Sequence, residues 1–168
     1  MERRDMPEAQ STDHSVVIGL ASEAATAALA GALARLARAG DVFALAGELG
    51  AGKTVFARAF INALAPNPEE IPSPTFTLVQ AYDLDWVTVH HFDLFRLAGP
   101  DEAFELGIEE AFAGGISLIE WPERLGRLLP GDHCWLSLAH GGDANSRRAT
   151  LTGRGNWARW LKEADIDV

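Results

Sequence analysis

Hydrophobic residues along the chain fall into short continuous runs and into stripes with helical spacing, a pattern that indicates an α/β domain. The run Val42-Phe43-Ala44-Leu45-Ala46 is typical of a strand that is buried on both faces of a sheet. After a short loop, apolar side chains recur with helical spacing at Val55, Phe56, Ala59, Phe60, Ala63 and Leu64. The sequence therefore predicts a strand, a loop and a helix in direct succession.

The segment before this unit predicts a further strand and a further helix. Val16-Val17-Ile18 is a β-branched run that favours a first strand at the edge of the sheet. Ser22 is a suitable helix cap, and Glu23 follows it in the first turn, where a negative charge is favourable. We expect this helix to face the sheet through Leu29, Leu33 and Leu36 and to end at Gly40-Asp41.

Two β-rich runs in the middle of the chain predict an antiparallel hairpin. Thr77 to Tyr82 and Trp86 to Phe92 are separated only by Asp83-Leu84-Asp85. The sheet is therefore expected to be mixed rather than purely parallel.

The second half of the chain alternates short helices with strands. Gly114-Gly115 separates the short helices from a buried strand that ends at Glu120. The tryptophans at 157 and 160 have helical spacing, and we interpret them as core anchors of a terminal helix rather than a base-stacking platform. The predicted elements are helices over 101–106, 109–112 and 122–129, strands over 116–120, 134–139 and 148–152, and a final helix that includes Trp157, Trp160, Leu161 and Ala164.

The length of 168 residues suits one folded domain, which we place at residues 15–168. Residues 1–14 are polar and charged and lack the apolar centre of a signal peptide, so we expect a disordered leader. Glu23, Arg35 and Arg38 interrupt the apolar stretch from Val16 to Ala39, which favours a packed helix over a membrane span.

Charge and cysteine content exclude several classes of protein. The formal net charge is −10, opposite to that of a protein which grips a phosphate backbone by itself. Cys134 is the single cysteine, so an intrachain disulfide and a thiolate metal cluster are both excluded. A reducing cytoplasm is the expected location.

The loop between the predicted strand and helix carries candidate chemistry. Gly47-Glu48-Leu49-Gly50-Ala51-Gly52-Lys53-Thr54 has two glycines followed by Lys and Thr at the spacing of a phosphate-binding loop. Glycines let successive N–H groups turn inward around an anion, and the helix N-terminus adds further donors. Lys53 is placed to reach the outer phosphates, and the Thr54 hydroxyl is a candidate ligand of Mg²⁺. The alternative is a glycine-rich turn that only connects a strand to a helix.

A phosphate loop needs an acidic residue at the end of a neighbouring strand, and two candidates are present. Glu120 ends an apolar strand, and Asp93 follows the run that contains His90-His91. Each could instead be a solvated carboxylate in a loop. Adjacent strand residues point to opposite faces, so at most one of the two histidines shares a face with Asp93. That favours a polar histidine near the phosphates over a closed zinc site.

Ser73-Pro74-Thr75-Phe76 lies between the phosphate-loop helix and the predicted hairpin. It could be a plain turn. Its position would also allow Thr75 to contact the terminal phosphate, as nucleotide-sensing switch loops do.

Five motifs occur together in one order: 47–54, Ser-Pro-Thr-Phe at 73–76, His-Phe-Asp-Leu-Phe-Arg at 91–96, Glu-Leu-Gly-Ile at 105–108 and Ile-Glu-Trp-Pro at 119–122. Together they resemble the TsaE family, small bacterial ATPases needed to make threonylcarbamoyl adenosine beside the tRNA anticodon. The resemblance implies a three-layer P-loop NTPase-like fold, ATP and Mg²⁺ as cofactors, and association with TsaD and TsaB proteins. tRNA would then be held only indirectly, through those partners.

The resemblance also assigns roles to individual residues. The phosphate loop is Leu49, Gly50, Ala51, Gly52, Lys53 and Thr54, with Thr54 on Mg²⁺. Glu120 matches the second metal-associated acid, and Asp93 matches the acid that binds the metal or positions water. Glu23, Glu123 and Arg147 match positions that help to hold the nucleotide. The family usually has Tyr where this chain has Phe95.

Two other functions compete with a partner-dependent ATPase. A small-molecule kinase could use the same loop, but it would need an arginine-bearing lid, and between Asp93 and Pro130 the only arginines are Arg96, Arg124 and Arg127. A nucleotide-binding module that acts by assembly alone, with little hydrolysis, is the third reading.

Overall fold

A seven-stranded mixed sheet runs through the part of the chain that the computed structural model describes, residues 13–65 and 78–166. The strand order is β1-β7-β6-β2-β5-β4-β3. The elements are β1 (His14–Leu20), α1 (Glu23–Leu36), β2 (Val42–Ala46), α2 (Lys53–Leu64), β3 (Val79–Asp83), β4 (Thr88–Asp93), α3 (Pro100–Glu105), α4 (Ile108–Gly114), β5 (Ile116–Glu120), a 3-10 segment (Pro122–Leu128), β6 (His133–His140), β7 (Arg147–Arg154) and α5 (Asn156–Glu163).

The centre of the sheet is parallel and its flanks are antiparallel. β2 pairs in parallel with β5 on one side and β6 on the other, and β5 continues in parallel to β4. β3 pairs antiparallel with β4, which confirms the predicted hairpin. On the other flank β7 runs antiparallel to both β6 and β1, so β1 is an edge strand, as predicted.

Helices cover both faces of the sheet, and this confirms the three-layer P-loop-type fold. One core contains buried residues of α1, α2 and α5, such as Leu33, Phe60 and Trp157. The other core joins β2, β4 and β5 to α3, α4 and the 3-10 segment, through residues such as Ile108 and Leu125. Trp157 is 2% exposed and packs edge-on against Phe43, so its predicted role as a core anchor is confirmed.

Strand alternation decides which polar side chains face α2. Leu118 of β5 and Val89 of β4 belong to the core beneath α1 and α2. Residues two or four positions later share their face. Glu120 therefore lies on the α2 side of β5, and His91 and Asp93 lie on the α2 side of β4.

The predicted end of the first helix is wrong. The helix ends at Leu36 because Ala37 is extended, and the Asp41 carboxylate accepts from the Arg38 N–H at 2.7 Å just beyond it. Leu36 itself is 44% exposed, so the predicted stripe is buried only at Leu29 and Leu33.

Some predictions concern residues that the structure does not describe. The leader, apart from its last two positions, and the 73–76 segment with Thr75 lie outside the described residues. Within residues 13–65 and 78–166, no helix has the length and hydrophobicity needed to cross a bilayer.

Candidate functional site

The loop between β2 and α2 takes a backbone path that requires glycine. Gly47, Gly50 and Gly52 have φ angles of 146°, 79° and 104°. Residues with a Cβ atom rarely adopt such positive φ angles. A Cβ atom at Gly47 would lie 2.5 Å from the carbonyl oxygen of Leu138 in β6. These glycines therefore fulfil a steric requirement, as the sequence pattern predicts.

Lys53 begins α2 and folds back across the loop. Its ammonium donates to the carbonyl oxygen of Gly47 and lies 3.5 Å from the centre of the Trp121 ring. Burial lowers the pKa of Lys53 below its ordinary value, and the charges of Glu120, Glu123 and Asp93 partly oppose that shift. Lys53 is 4% exposed, so a cation is held at the loop in a largely dry position.

Thr54, Glu120 and His91 form a hydrogen-bonded chain next to Lys53. The Thr54 hydroxyl donates to Glu120 Oε1 at 3.0 Å, and His91 Nε2 lies 2.7 Å from Glu120 Oε2. Because a carboxylate only accepts, His91 Nε2 carries the proton in this bond. Glu120 is 2% exposed and His91 is fully buried. Both oxygens of the Glu120 carboxylate are therefore held in fixed directions.

Asp93 stands beside Glu120 at the carboxyl edge of the sheet. The two residues are direct partners in the β4–β5 register. Asp93 is 8% exposed, and its Oδ1 accepts from the backbone N–H of Phe95 at 3.1 Å. The structure thus brings the two predicted acids together from separate strands.

One cleft of about 240 Å³ collects most of the predicted site. Its position outside the carboxyl ends of parallel strands is where ligands bind in open α/β sheets. Its lining residues are Leu49, Gly50, Gly52, Lys53, Thr54, Val55, Asp93, Glu120 and Trp121.

The Thr54–Glu120 pair suits Mg²⁺ bound together with a nucleotide. A hydroxyl and a carboxylate oxygen 3.0 Å apart are ligands that a hard cation prefers. Among the described residues, no group of three or more His, Cys, Asp or Glu side chains could hold a metal ion. Mg²⁺ commonly takes only one or two protein oxygens and completes its shell with waters and phosphate, so this donor set fits it.

The three residues assigned by resemblance alone occupy two places. Glu23 and Arg147 both line a smaller pocket of about 60 Å³, which shares Gly50 and Gly52 with the cleft. Glu123 is exposed at the start of the 3-10 segment, and its charge acts on Lys53.

Trp121 is the site residue that sequence reasoning missed. It adopts φ 61° and ψ 51°, an uncommon conformation for a residue with a side chain, and this turn sets its indole over Lys53. The Phe95 ring lies 4.9 Å from the Trp121 ring at an angle of 50°, so this contact is between two aromatic rings and involves no hydroxyl. The available signal was the Ile-Glu-Trp-Pro motif, which places Trp121 directly after Glu120.

Comparison with known proteins gives one consistent result. Residues 20–149 match the sequence profile of the family described as threonylcarbamoyl adenosine biosynthesis protein TsaE. A Rickettsia conorii protein named tRNA threonylcarbamoyladenosine biosynthesis protein TsaE is 46% identical over 110 residues, 66% of this chain and 63% of that protein. The chain thus spans less than two thirds of that relative. A Bacillus subtilis protein of the same name is 36% identical over 139 residues, 82% of this chain and 85% of that protein.

A solved structure agrees with the sequence matches. The crystal structure of YdiB from Bacillus subtilis superposes with a TM-score of 0.73 at 30% sequence identity. The superposition covers 90% of this chain and 93% of YdiB, so it extends far beyond the phosphate loop.

Proposed function

The chain belongs to the TsaE family, and we propose that it is an ATP hydrolase required for threonylcarbamoyl modification of the adenosine adjacent to the tRNA anticodon. In this proposal it acts with partners of the TsaD and TsaB type in the cytoplasm and has little activity without them. Its role is to bind and hydrolyse ATP, and it does not carry the threonylcarbamoyl group.

One observation carries the nucleotide-binding part of the proposal. The glycine loop, the Lys53 ammonium and the Thr54–Glu120 oxygen pair open into a single cleft at the carboxyl edge of the sheet. A polyphosphate needs inward N–H groups, a cation and a site for its metal, and this cleft is lined by residues suited to all three.

The residues of the cleft suggest how hydrolysis would proceed. Bound Mg²⁺ would neutralise phosphate charge, with Thr54 and Glu120 as the residues that hold it. Lys53 would stabilise negative charge that develops on the terminal phosphate. Asp93 would orient the attacking water and accept its proton at a carboxylate oxygen.

The charge of the chain supports an indirect contact with tRNA. A net charge of −10 disfavours binding to a polyanion without help. In the proposed assembly the partner proteins hold the tRNA, and this chain supplies the nucleotide cycle.

A calorimetric titration tests nucleotide binding. We expect Lys53→Ala to weaken Mg·ATP binding at least tenfold, because the buried cation of the site is lost. Lys162→Ala, at an exposed position of α5, is the matched control and should bind like the parent. Equal affinity of Lys53→Ala and the parent would refute the assignment of the cleft.

A reconstituted modification assay with TsaD and TsaB type proteins tests hydrolysis. We expect Glu120→Ala and Asp93→Ala to stop repeated turnover, whereas Glu109→Ala, at an exposed position of α4, should not. Full turnover by variants that bind ATP and assemble would mean that hydrolysis is dispensable. Transfer of labelled γ-phosphate to a metabolite rather than to water would favour a small-molecule kinase instead.

A further inference from the structure

Arg147, at the start of β7, ties the phosphate loop to the β6–β7 turn. Its Nε donates to the carbonyl oxygen of Ala51 at 3.0 Å, and one terminal nitrogen donates to that of Gly50 at 3.1 Å. The other terminal nitrogen donates to the carbonyl oxygens of Ala144 and Ser146, both at 2.8 Å. One planar group therefore bridges two segments that are about a hundred residues apart in sequence.

These bonds bear on the direction of the loop amides. In a planar trans peptide, the C=O and the N–H of one unit point in opposite directions. Holding the Ala51 carbonyl therefore directs the Gly52 N–H away from Arg147. Holding the Gly50 carbonyl fixes the Ala51 N–H, which donates to Glu48 at 3.1 Å and closes the turn before the helix.

Two further carbonyl groups around the loop also have donors. Lys53 donates to the carbonyl of Gly47, and the Phe56 N–H donates to that of Gly52 at 2.9 Å. Arg147 thus adds two hydrogen bonds to those that fix the backbone path of the loop. An anion-binding loop works best when its amides are already oriented, because no free energy is then spent on ordering them.

The donor count argues against a mainly direct contact between Arg147 and the nucleotide. A guanidinium has five N–H groups, and in this structure four of its hydrogen bonds go to backbone carbonyls. One N–H is left for a ligand unless the loop is released. We propose that Arg147 is a positioning residue, which raises affinity for the polyphosphate by holding the loop amides in place.

This inference rests on the proposed nucleotide site. The test is therefore designed so that failure of the Arg147 inference and failure of the nucleotide site give different results. Arg147→Met removes both charge and donors, and Arg147→Lys keeps the charge but lacks the planar fork that reaches both segments. Arg148→Met is the matched control, because Arg148 is the next residue of β7 and is exposed. The probes are Mg·ATP, inorganic tripolyphosphate and AMP, together with amide hydrogen exchange of the ligand-free chain.

The expected result is that Arg147→Met and Arg147→Lys both weaken ATP and tripolyphosphate about 10- to 100-fold, by similar factors. The Ala51 amide should exchange at least tenfold faster in both variants without any ligand, while Arg148→Met matches the parent. If Arg147→Met does not fold, Arg147→Lys carries the same comparison.

Three results would overturn the inference. Parental binding of ATP and tripolyphosphate by Arg147→Lys would mean that the charge alone matters. Loss of ATP and AMP binding with unchanged tripolyphosphate binding would mean that Arg147 contacts the nucleoside. Unchanged Ala51 exchange would mean that the loop is not held by Arg147. A parent chain that binds neither polyphosphate would refute the proposed nucleotide site, while the exchange comparison would still decide whether Arg147 holds the loop.

Discussion

Replacement of His91 by leucine tests the buried hydrogen bond that orients Glu120. His91 is fully buried, and its Nε2 is 2.7 Å from Glu120 Oε2. Leucine fills much of the same space but donates no hydrogen bond. Glu120 keeps the bond from Thr54, so one of its two side-chain donors is lost.

The size of the effect follows from that single lost donor. A hydrogen bond to a charged group contributes about 1.5–3 kcal/mol to stability. Leaving its acceptor unsatisfied in the interior loses most of that free energy. We therefore expect His91→Leu to lower the free energy of unfolding by about 2 kcal/mol. For a chain of this size, that corresponds to a fall in Tm of about 4–8 °C.

A double-mutant cycle measured by urea unfolding isolates the pair. In a Glu120→Leu background the His91 N–H has no acceptor, so His91→Leu should cost almost nothing or stabilise the protein. His140→Leu, at an exposed position of β6, is the control and should leave the urea midpoint unchanged. A coupling energy below about 0.5 kcal/mol would refute the reasoning.

The remaining predictions concern a buried thiol, a glycine with no room for a Cβ atom, and a helix cap. Burial raises the pKa of Cys134 to about 12 from its ordinary 9.0, so the folded chain keeps a proton that the unfolded chain loses between those values. The free energy of unfolding should therefore fall as pH rises above 9, by about 1 kcal/mol at pH 10. Urea unfolding at pH 8 and pH 10 measures this fall, which should be smaller for Cys134→Ala than for the parent. Gly47→Ala should abolish ATP binding in a calorimetric titration, because its Cβ would meet the Leu138 carbonyl at 2.5 Å, whereas Gly142→Ala has open space and should bind normally. Ser22→Ala removes the acceptor of the Ala25 N–H and should cost about 1 kcal/mol in thermal unfolding, and an unchanged Tm would contradict the assigned cap.

The sequence was sufficient where local patterns decide the structure. The run Val42–Ala46, the glycine spacing and the periodicity after Lys53 predicted the central strand, loop and helix. Glu120 and Asp93 could be found because each follows or ends a strand, and parallel strands end at one edge of a sheet.

Contacts between residues that are far apart in the sequence could not be predicted in this way. The indole of Trp121 covers Lys53 only because the backbone at 121 turns to a positive φ. The bonds from Arg147 to Gly50 and Ala51 require β7 to return beside the loop, which no spacing in the sequence shows. Leu36 has the helical spacing of Leu29 and Leu33, but the helix ends at Leu36 and its side chain is 44% exposed.

The pairing of β1 with β7 has a consequence for biosynthesis. β1 is made near the start of the chain, yet its only neighbour in the described sheet is a strand made more than a hundred residues later. During translation the backbone N–H and C=O groups of β1 therefore have no strand partner until β7 has been made. Arg147 emerges together with β7, so the phosphate loop receives its tether at the same late stage. Every intermediate of synthesis that lacks β7 therefore also lacks the hydrogen bonds from Arg147 to Gly50 and Ala51.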